Sequence, residues 1–255
     1  MELSARSATP GRDVADSPST AEDSARRLLR DGEITVLGRI TWSSNATYLT
    51  QVTGDGGELL AIYKPRRGER PLWDFPHGTL TAREVAAFET SQALGWQIVP
   101  DTVERDGPLG SGMVQRFVDH DPDEHYFTLL ADHAERLTRF AAFDVVVNNA
   151  DRKGGHVLLG LDGHLWGIDH GLSFHRDPKL RTVIWELASA PLGDEIEGDL
   201  RRLLGEIDGN TGDRLASLLS VAEVEATRMR VAQLLAARAL PESEPGHHSY
   251  PWPLV

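Results

Sequence analysis

The first half of the chain alternates. In Glu33–Ile40, Thr47–Thr53 and Glu58–Lys64, the residues Val, Ile, Leu, Thr and Tyr recur at the two-residue spacing of half-buried strands. The links are short and polar, Trp42-Ser43-Ser44-Asn45-Ala46 and then Gly54-Asp55-Gly56-Gly57, so three antiparallel strands are expected in chain order. Ile98–Glu104 and Met113–Val118 read as two more, joined by a turn over Arg105–Gly112. Between the two groups the period changes. Val85, Phe88 and Leu94 mark a helix over Leu80–Leu94, with Thr79 placed to cap it and Gly95 to stop it.

The second half is mostly helical in pattern. Leu137, Phe140, Ala141 and Val145 fall at helix spacing within Arg136–Asn148, and Glu186–Leu204 and Arg214–Leu240 follow, the latter with Asp213 as its cap. One interruption is strand-like: Val157–Leu161, a turn at Asp162-Gly163, then Leu165–Ile168, a hairpin signal. Residues 1–23 are rich in Ser, Ala, Asp, Pro and Thr without an apolar period and read as a disordered arm, with Ser24–Asp31 a short helix leading in. The stretch from Pro241 to Val255 reads as a flexible tail. A β-rich half followed by a helical half predicts an α+β fold of two lobes with a cleft: an N-lobe over 24–118 and a C-lobe over 119–240.

Composition narrows the chemistry. There are 255 residues, 40% of them hydrophobic, enough for a sizeable core. Cys is absent, which excludes disulfides, thiolate metal sites and a Cys nucleophile, and suits a cytoplasmic location. No 18-residue apolar run and no leader pattern is present, so neither a membrane span nor secretion is expected. The net charge of -13 argues against broad nucleic-acid or anionic-membrane binding. Arg greatly outnumbers Lys, which occurs only at 64, 153 and 179. Where a compact point charge is needed the two differ most.

The candidate chemistry gathers in Phe143–Phe174. Asn149, Asp151, Arg152, Lys153 and His156 stand before the hairpin, and Asp169, His170 and Gly171 after it. A short hairpin returns its far end to its start, so Asp169 is expected beside Asp151 and His156. Two carboxylates, with a possible metal ligand five residues after the first, suit phosphoryl transfer. Lys64 ends the third strand, where an ammonium can reach the α- and β-phosphates of a nucleotide. Glu84 lies near the buried face of its helix and needs a partner, for which Lys64 is the natural candidate; Glu89 lies further round. The Ser43-Ser44-Asn45 loop can cover a triphosphate, though alone it reads more simply as a hairpin turn. Gln115–Asp119 leaves a strand for a Pro- and Asp-rich stretch, as a hinge would. Pro71–Pro76 is too apolar for a plain solvated loop. The Ser173–Trp185 segment, with Arg176, Lys179 and Arg181, is expected to line the acceptor side. A rival reading is a metal-dependent hydrolase built from His120, Asp121, His125, His133, His156, Asp169 and His170, but their spacing fits no dense ligand set.

Ala61–Pro65, Arg83–Phe88, Gln115–Asp119, Asn149–His156 and Ile168–Phe174 together resemble the phosphoinositide 3-/4-kinase-like branch of the protein-kinase-like superfamily, and its small bacterial members above all, over roughly residues 31–190. The resemblance implies Mg-ATP as donor and phosphoryl transfer to a hydroxyl. It implies that Lys64 holds the α/β-phosphates and Glu84 orients it, that Asp151 is the catalytic-loop acid, and that Lys153 contacts the γ-phosphate. Asp169 becomes the metal-binding Asp of an Ile-Asp-His-Gly element, Ser44 part of the phosphate-covering loop, and Phe117 and Val118 the adenine hinge. One position departs: where such kinases carry an Asn as second metal ligand, this chain has His156. Neutral imidazole suits Mn²⁺ better than Mg²⁺. The expected acceptor is a protein or small-molecule hydroxyl; the alternative is a nucleotide-binding pseudokinase acting through a partner.

Overall fold

The computed structural model describes residues 18–41, 43, 45–243 and 249–255. Ser44, expected in the phosphate-covering loop, lies outside the described residues, as does 1–17 of the expected arm.

Five strands form one antiparallel sheet in the order β1 (Glu33–Ile40), β2 (Thr47–Gly54), β3 (Gly57–Pro65), β5 (Gly110–Arg116), β4 (Thr102–Gly107). Alternation along β3 separates its faces. Ala61 and Tyr63 are fully buried against Leu28, Leu29, Val52 and Val114, whereas Ile62 and Lys64 face the other way. The helix α1 (Pro18–Asp31) covers the buried face. It starts six residues before the expected Ser24, so the arm read over 1–23 ends in ordered helix.

The β4–β5 hairpin is shifted from expectation. Gly107 pairs with Gly110, leaving a two-residue turn at Pro108-Leu109, so the strands extend into the expected Arg105–Gly112 turn. Ile98 and Val99 are buried but belong to a connecting loop; Ile98 O accepts a hydrogen bond from Gly167 N of the second hairpin. That hairpin is a three-residue pair, β6 (Val157–Leu159) and β7 (Leu165–Gly167), shorter than its apolar runs suggested.

Beyond the sheet, α3 (Tyr126–Val147) begins ten residues before Arg136, with non-helical torsions at His133. The expected helix over Glu186–Leu204 is broken: a 3-10 turn at Ile184–Leu187 is followed by a loop through Pro191, and α4 runs Gly193–Ile207. Ser189 holds positive φ in that loop, which a right-handed helix interior does not accommodate, and Gly193 does so where α4 begins. The expected Arg214–Leu240 helix is two. α5 (Asn210–Leu218) ends where Leu219 turns extended, a capping box between Ser220 and Glu223 starts α6 (Val221–Ala237), and Asp213 lies inside α5 rather than capping it.

The helix that matters most is α2 (Leu80–Leu94). It is buried around nearly its whole circumference, so a single apolar stripe understates it. Ala86–Leu94 join the large helical core with Phe140, Phe143, Leu200, Leu215 and Val231. Chain order groups α2 with the sheet in a unit ending near residue 118; packing groups it with the helices. Among the described residues no helix is long and apolar enough to cross a membrane.

Candidate active site

Lys64 ends β3 on the cleft face and is held from two sides. Its Nζ lies 2.6 Å from Glu84 Oε1 on α2 and 2.9 Å from Asp169 Oδ1 after β7. Burial disfavours the ammonium, but the two carboxylates outweigh it and raise the Lys64 pKa. Asp169 is driven the other way, well below the usual carboxylate range, chiefly by Lys64. Glu84 Oε2 accepts the backbone N–H of His170 at 2.8 Å, tying α2 to the Asp169 turn. Burial pushes the Glu84 pKa up against the pull of Lys64. Asp169 sits at φ +60, a left-handed torsion that Asp tolerates better than most and that functional turns often store.

The hairpin does return Asp169 to the loop after α3. Asp151, Lys64, Glu84 and Asp169 line one pocket with Asn45, Ala46, Glu69, Arg70, Leu72 and Leu172. Lys153 Nζ donates to Asp151 Oδ2 at 2.8 Å. Burial raises the Asp151 pKa above the ordinary Asp value, and Lys153 opposes the shift. His156 Nε2 stands 3.5 Å from Asp169 Oδ2, and burial lowers its pKa to about 4, so the imidazole is neutral. Its Nδ1 accepts weakly from Lys153 N at 3.4 Å. Nε2 ligation therefore needs the tautomer with the proton on Nδ1, at the cost of that weak contact. The donor set of one ionised carboxylate and one neutral imidazole fits a divalent cation on those terms.

Other expectations need correction. Thr79 makes no capping bond to α2; its hydroxyl donates to Pro76 O, and Glu69 Oε1 takes the Thr81 N–H instead. Phe117 and Val118 do lie on the segment from the sheet to α3, with Phe117 N bonded to Leu60 O, but neither lines the pocket. The expected basic acceptor face is only partly free, because Lys179 Nζ is paired with Asp74 at 2.9 Å and lies over the Trp73 ring. The hydrolase cluster does not assemble: the described residues contain no group of three His, Asp or Glu able to hold a metal. His120 instead contacts Val118 O, and Glu89 pairs with Arg214.

Sequence reasoning counted Arg152 in the polar cluster but gave no role to it or to Arg83, both fully buried. Arg152 bonds Asp144 through both carboxylate oxygens, the carbonyls of His156 and Ile168, and His170 Nε2 at 2.6 Å. It thereby fixes the backbone beside both candidate metal ligands. Because Arg152 donates, His170 carries its proton on Nδ1; burial, with Arg152 beside it, holds this imidazole neutral. Arg83 joins α2 to Ser173 O and to Glu223 on α6 and lies over the Phe75 ring. A buried Asp in a helix eight residues before an Arg was the available signal for the first.

The tail also differs from expectation. Ser249 O accepts from Thr182 N and from Trp185 Nε1, and Leu254 O accepts from Gly154 N at 2.7 Å. A Cβ on Gly154 would meet the Phe127 ring at 3.0 Å and Leu254 O at 3.3 Å, so glycine lets the tail approach.

An antiparallel sheet, a helical half and a cleft with an ammonium facing two carboxylates define a protein of the protein-kinase-like fold. A model of phosphatidylinositol 3- and 4-kinases matches residues 86–203. Protein Rv2133c of Mycobacterium tuberculosis is 42% identical over 269 aligned positions, spanning 92% of this chain and 96% of the relative. Among solved structures, the Golgi casein kinase with Mn/ADP bound aligns with a TM-score of 0.53 at 13% identity, over 91% of this chain and 81% of that one. The Helicobacter pylori proinflammatory kinase CtkA aligns at 0.50 and 10% identity, over 83% and 94%. These structural likenesses concern the fold. The chain belongs to the phosphoinositide 3-/4-kinase-like family.

Proposed function

We propose that this protein is an ATP-dependent phosphotransferase acting on a hydroxyl of a protein or small molecule. The observation that carries the reading is the convergence of Lys64, Glu84, Asp151 and Asp169 on one pocket. Lys64 binds the donor's α/β-phosphates, and Glu84 and α2 hold it in place. Arg70 lines the same pocket, has its backbone N–H on Asn45 Oδ1 and makes no ion pair among the described residues. It supplies a further cation for the triphosphate. Asp169 would hold Mg²⁺ or Mn²⁺, and His156 would be the second ligand in its tautomer protonated on Nδ1. The ion's chemistry is to neutralise charge on the β- and γ-phosphates.

Asp151 orients the acceptor hydroxyl and takes its proton. The acceptor oxygen forms the new bond to the γ-phosphorus as the bond to the β-bridging oxygen breaks, and ADP leaves with that electron pair. Lys153, bonded to Asp151, would contact the γ-phosphoryl group, and it favours the ionised form of Asp151. Phe117 N is bonded to Leu60 O, so adenine would meet the Phe117 carbonyl and the Val118 N–H on the segment joining the lobes, and Ser44 is the hydroxyl proposed for the phosphates. The fold relative with Mn/ADP bound supports the donor and metal class.

The test is ATP-analogue binding by calorimetry with Mn²⁺ or Mg²⁺, beside ADP release with ATP. Wild type should bind and turn over, and Asp169→Asn should lose metal-dependent binding. Binding without turnover in either metal would replace this reading with a pseudokinase, which the His156 position favours. Absence of nucleotide binding would remove both.

A further inference from the structure

The segment between β3 and α2 does more than connect them. Residues 71–76 leave the sheet, reach the helical half and return to α2, and they are held down on the way. Glu69 Oε1 accepts from Thr81 N at 3.0 Å and Arg70 N donates to Asn45 Oδ1 at 2.9 Å, which fixes the approach. The Thr79 hydroxyl donates to Pro76 O at 2.7 Å, which fixes the return. Between these ends Phe75 is buried. It forms an apolar cluster with Leu80 of α2 and with Ala150, the residue before Asp151, and Leu172 packs against that cluster. The Arg83 guanidinium lies over its ring at 5.0 Å, and His175 meets it edge-on. The neighbouring Asp74 pairs with Lys179 at 2.9 Å, and both side chains are mostly buried.

These contacts fall on both banks of the cleft. Leu80 and Arg83 belong to α2, whereas His175 and Lys179 belong to the segment after the Asp169 turn. Leu72, on the same stretch, lines the pocket with Asp151 and Leu172. A protein acceptor presents its hydroxyl from the middle of a chain, and that chain would have to lie along the groove between the two banks. Residues 71–76 run across that groove instead. A small molecule needs no groove, only a pocket that closes on it and keeps water from the reacting atoms. Trp73 turns outward, 91% exposed, with the Lys179 ammonium 5.1 Å from its ring centre, so the outer face of the strap stays in solvent.

We propose that residues 71–76 are a lid over the acceptor end of the cleft, latched to the helical half by the Asp74–Lys179 pair, and that the acceptor is a small hydroxyl compound admitted beneath it rather than a protein chain. The second part rests on the phosphotransferase reading above and decides the acceptor class it leaves open. The lid itself does not depend on that reading.

The chain has no Cys, so a single thiol placed on the pocket wall reports what passes the lid. Leu172→Cys supplies it in the full chain without nucleotide, and Trp73→Cys on the outer face is the exposed reference. Two thiopyridyl disulfides of the same reactivity are compared, one of mercaptoethanol and one of a short Gly-Ser peptide activated at a central Cys. Relative to the reference, the small reagent should react with Leu172→Cys, and the peptide about tenfold or more slowly than the small reagent. Adding Asp74→Asn should raise the peptide rate about tenfold and change the small reagent's rate by less than about twofold. A cooperative melt close to that of wild type shows that the variants fold. If Leu172→Cys lacks one, Gly171→Cys replaces it, since a Cβ there meets Leu80 and Glu84 in ordinary contact at 3.6 and 3.7 Å. Equal relative rates for the two reagents with the latch intact, or a peptide rate unmoved by Asp74→Asn, overturns the lid. Exclusion of both reagents overturns the small acceptor. No turnover is read, so failure here leaves the phosphotransferase reading standing, and that reading fails separately if the chain binds no nucleotide.

Discussion

At Asp151 burial and charge compete, and the outcome sets a measurable pH dependence. Burial raises its pKa and Lys153 lowers it, with the net direction upward from the ordinary Asp value. On the proposed phosphotransferase reading Asp151 must be ionised to accept the acceptor's proton, so turnover should be lost as pH falls through that raised pKa. The acid limb of the kcat profile should therefore lie above that of an unperturbed Asp. Lys153→Met removes the leading lowering influence and should move the limb higher still. Asp151→Asn should cut kcat by about 10²- to 10⁴-fold and abolish the limb. A limb that stays put in Lys153→Met would show that another group titrates. Asp169 beside Asp151 was legible because a hairpin returns one to the other, and Lys64 beside Glu84 because a carboxylate on a buried helix face needs a cation. Arg152 and Arg83 were not. Their partners, Asp144, Glu223 and the carbonyls of Ile168 and Ser173, come from elements whose relative placement no local pattern encodes.

Among the elements, the terminal segment acts on the site without entering it. Ser249 and Leu254 accept three hydrogen bonds, two from the acceptor segment at Thr182 and Trp185 and one from the catalytic loop at Gly154. Removing 249–255 leaves those donors to water and frees the Gly154 turn beside Lys153. Each such bond is worth about 1 kcal/mol net, so a modest fall in melting temperature is expected. The larger effect should fall on kcat, about tenfold to 100-fold, because small misplacement of a catalytic loop is costly. The KM for ATP should hold, since Lys64, Glu84 and Asp169 are held by one another and by His156 and His170. Trp252→Ala should change neither quantity, its ring being 87% exposed. An unchanged kcat after truncation would make the segment mere covering. Composition alone had marked this stretch as loose, because its hydrogen bonds run through backbone carbonyls that composition does not report. The same limit moved helix ends. Strand alternation located β1 to β3 well, but one continuous apolar pattern concealed the Ser220–Glu223 cap that divides α5 from α6.

At the scale of the molecule, the position of α2 decides what can move. Glu84 holds Lys64 from a helix fixed along its length and just past its end to the helical half: Arg83 to Glu223, Arg214 to Glu89, Arg202 to Leu94 O, and Trp96 Nε1 to Asp199. Ala86, Ala87, Phe88 and Leu94 are buried in that same core. Swinging α2 outward would expose this surface and strand buried charges, and a buried pair broken on one side costs about 3–5 kcal/mol. The sheet core is separate and smaller, closed by α1. Cleft closure should then be a movement of β1–β3 over a stationary α2, with the Lys64–Glu84 pair formed in both states. Native-state hydrogen exchange reads this directly. Amides of α2 should exchange as slowly as those of α4 and α6, and more slowly than those of α1. An ATP analogue with Mn²⁺ should add protection in β1–β3 and the Asp169 turn and little in α2. If α2 instead exchanges with the sheet, or gains most of the protection on binding, it belongs to the moving lobe. Glu84 would then be a switched contact rather than a permanent one.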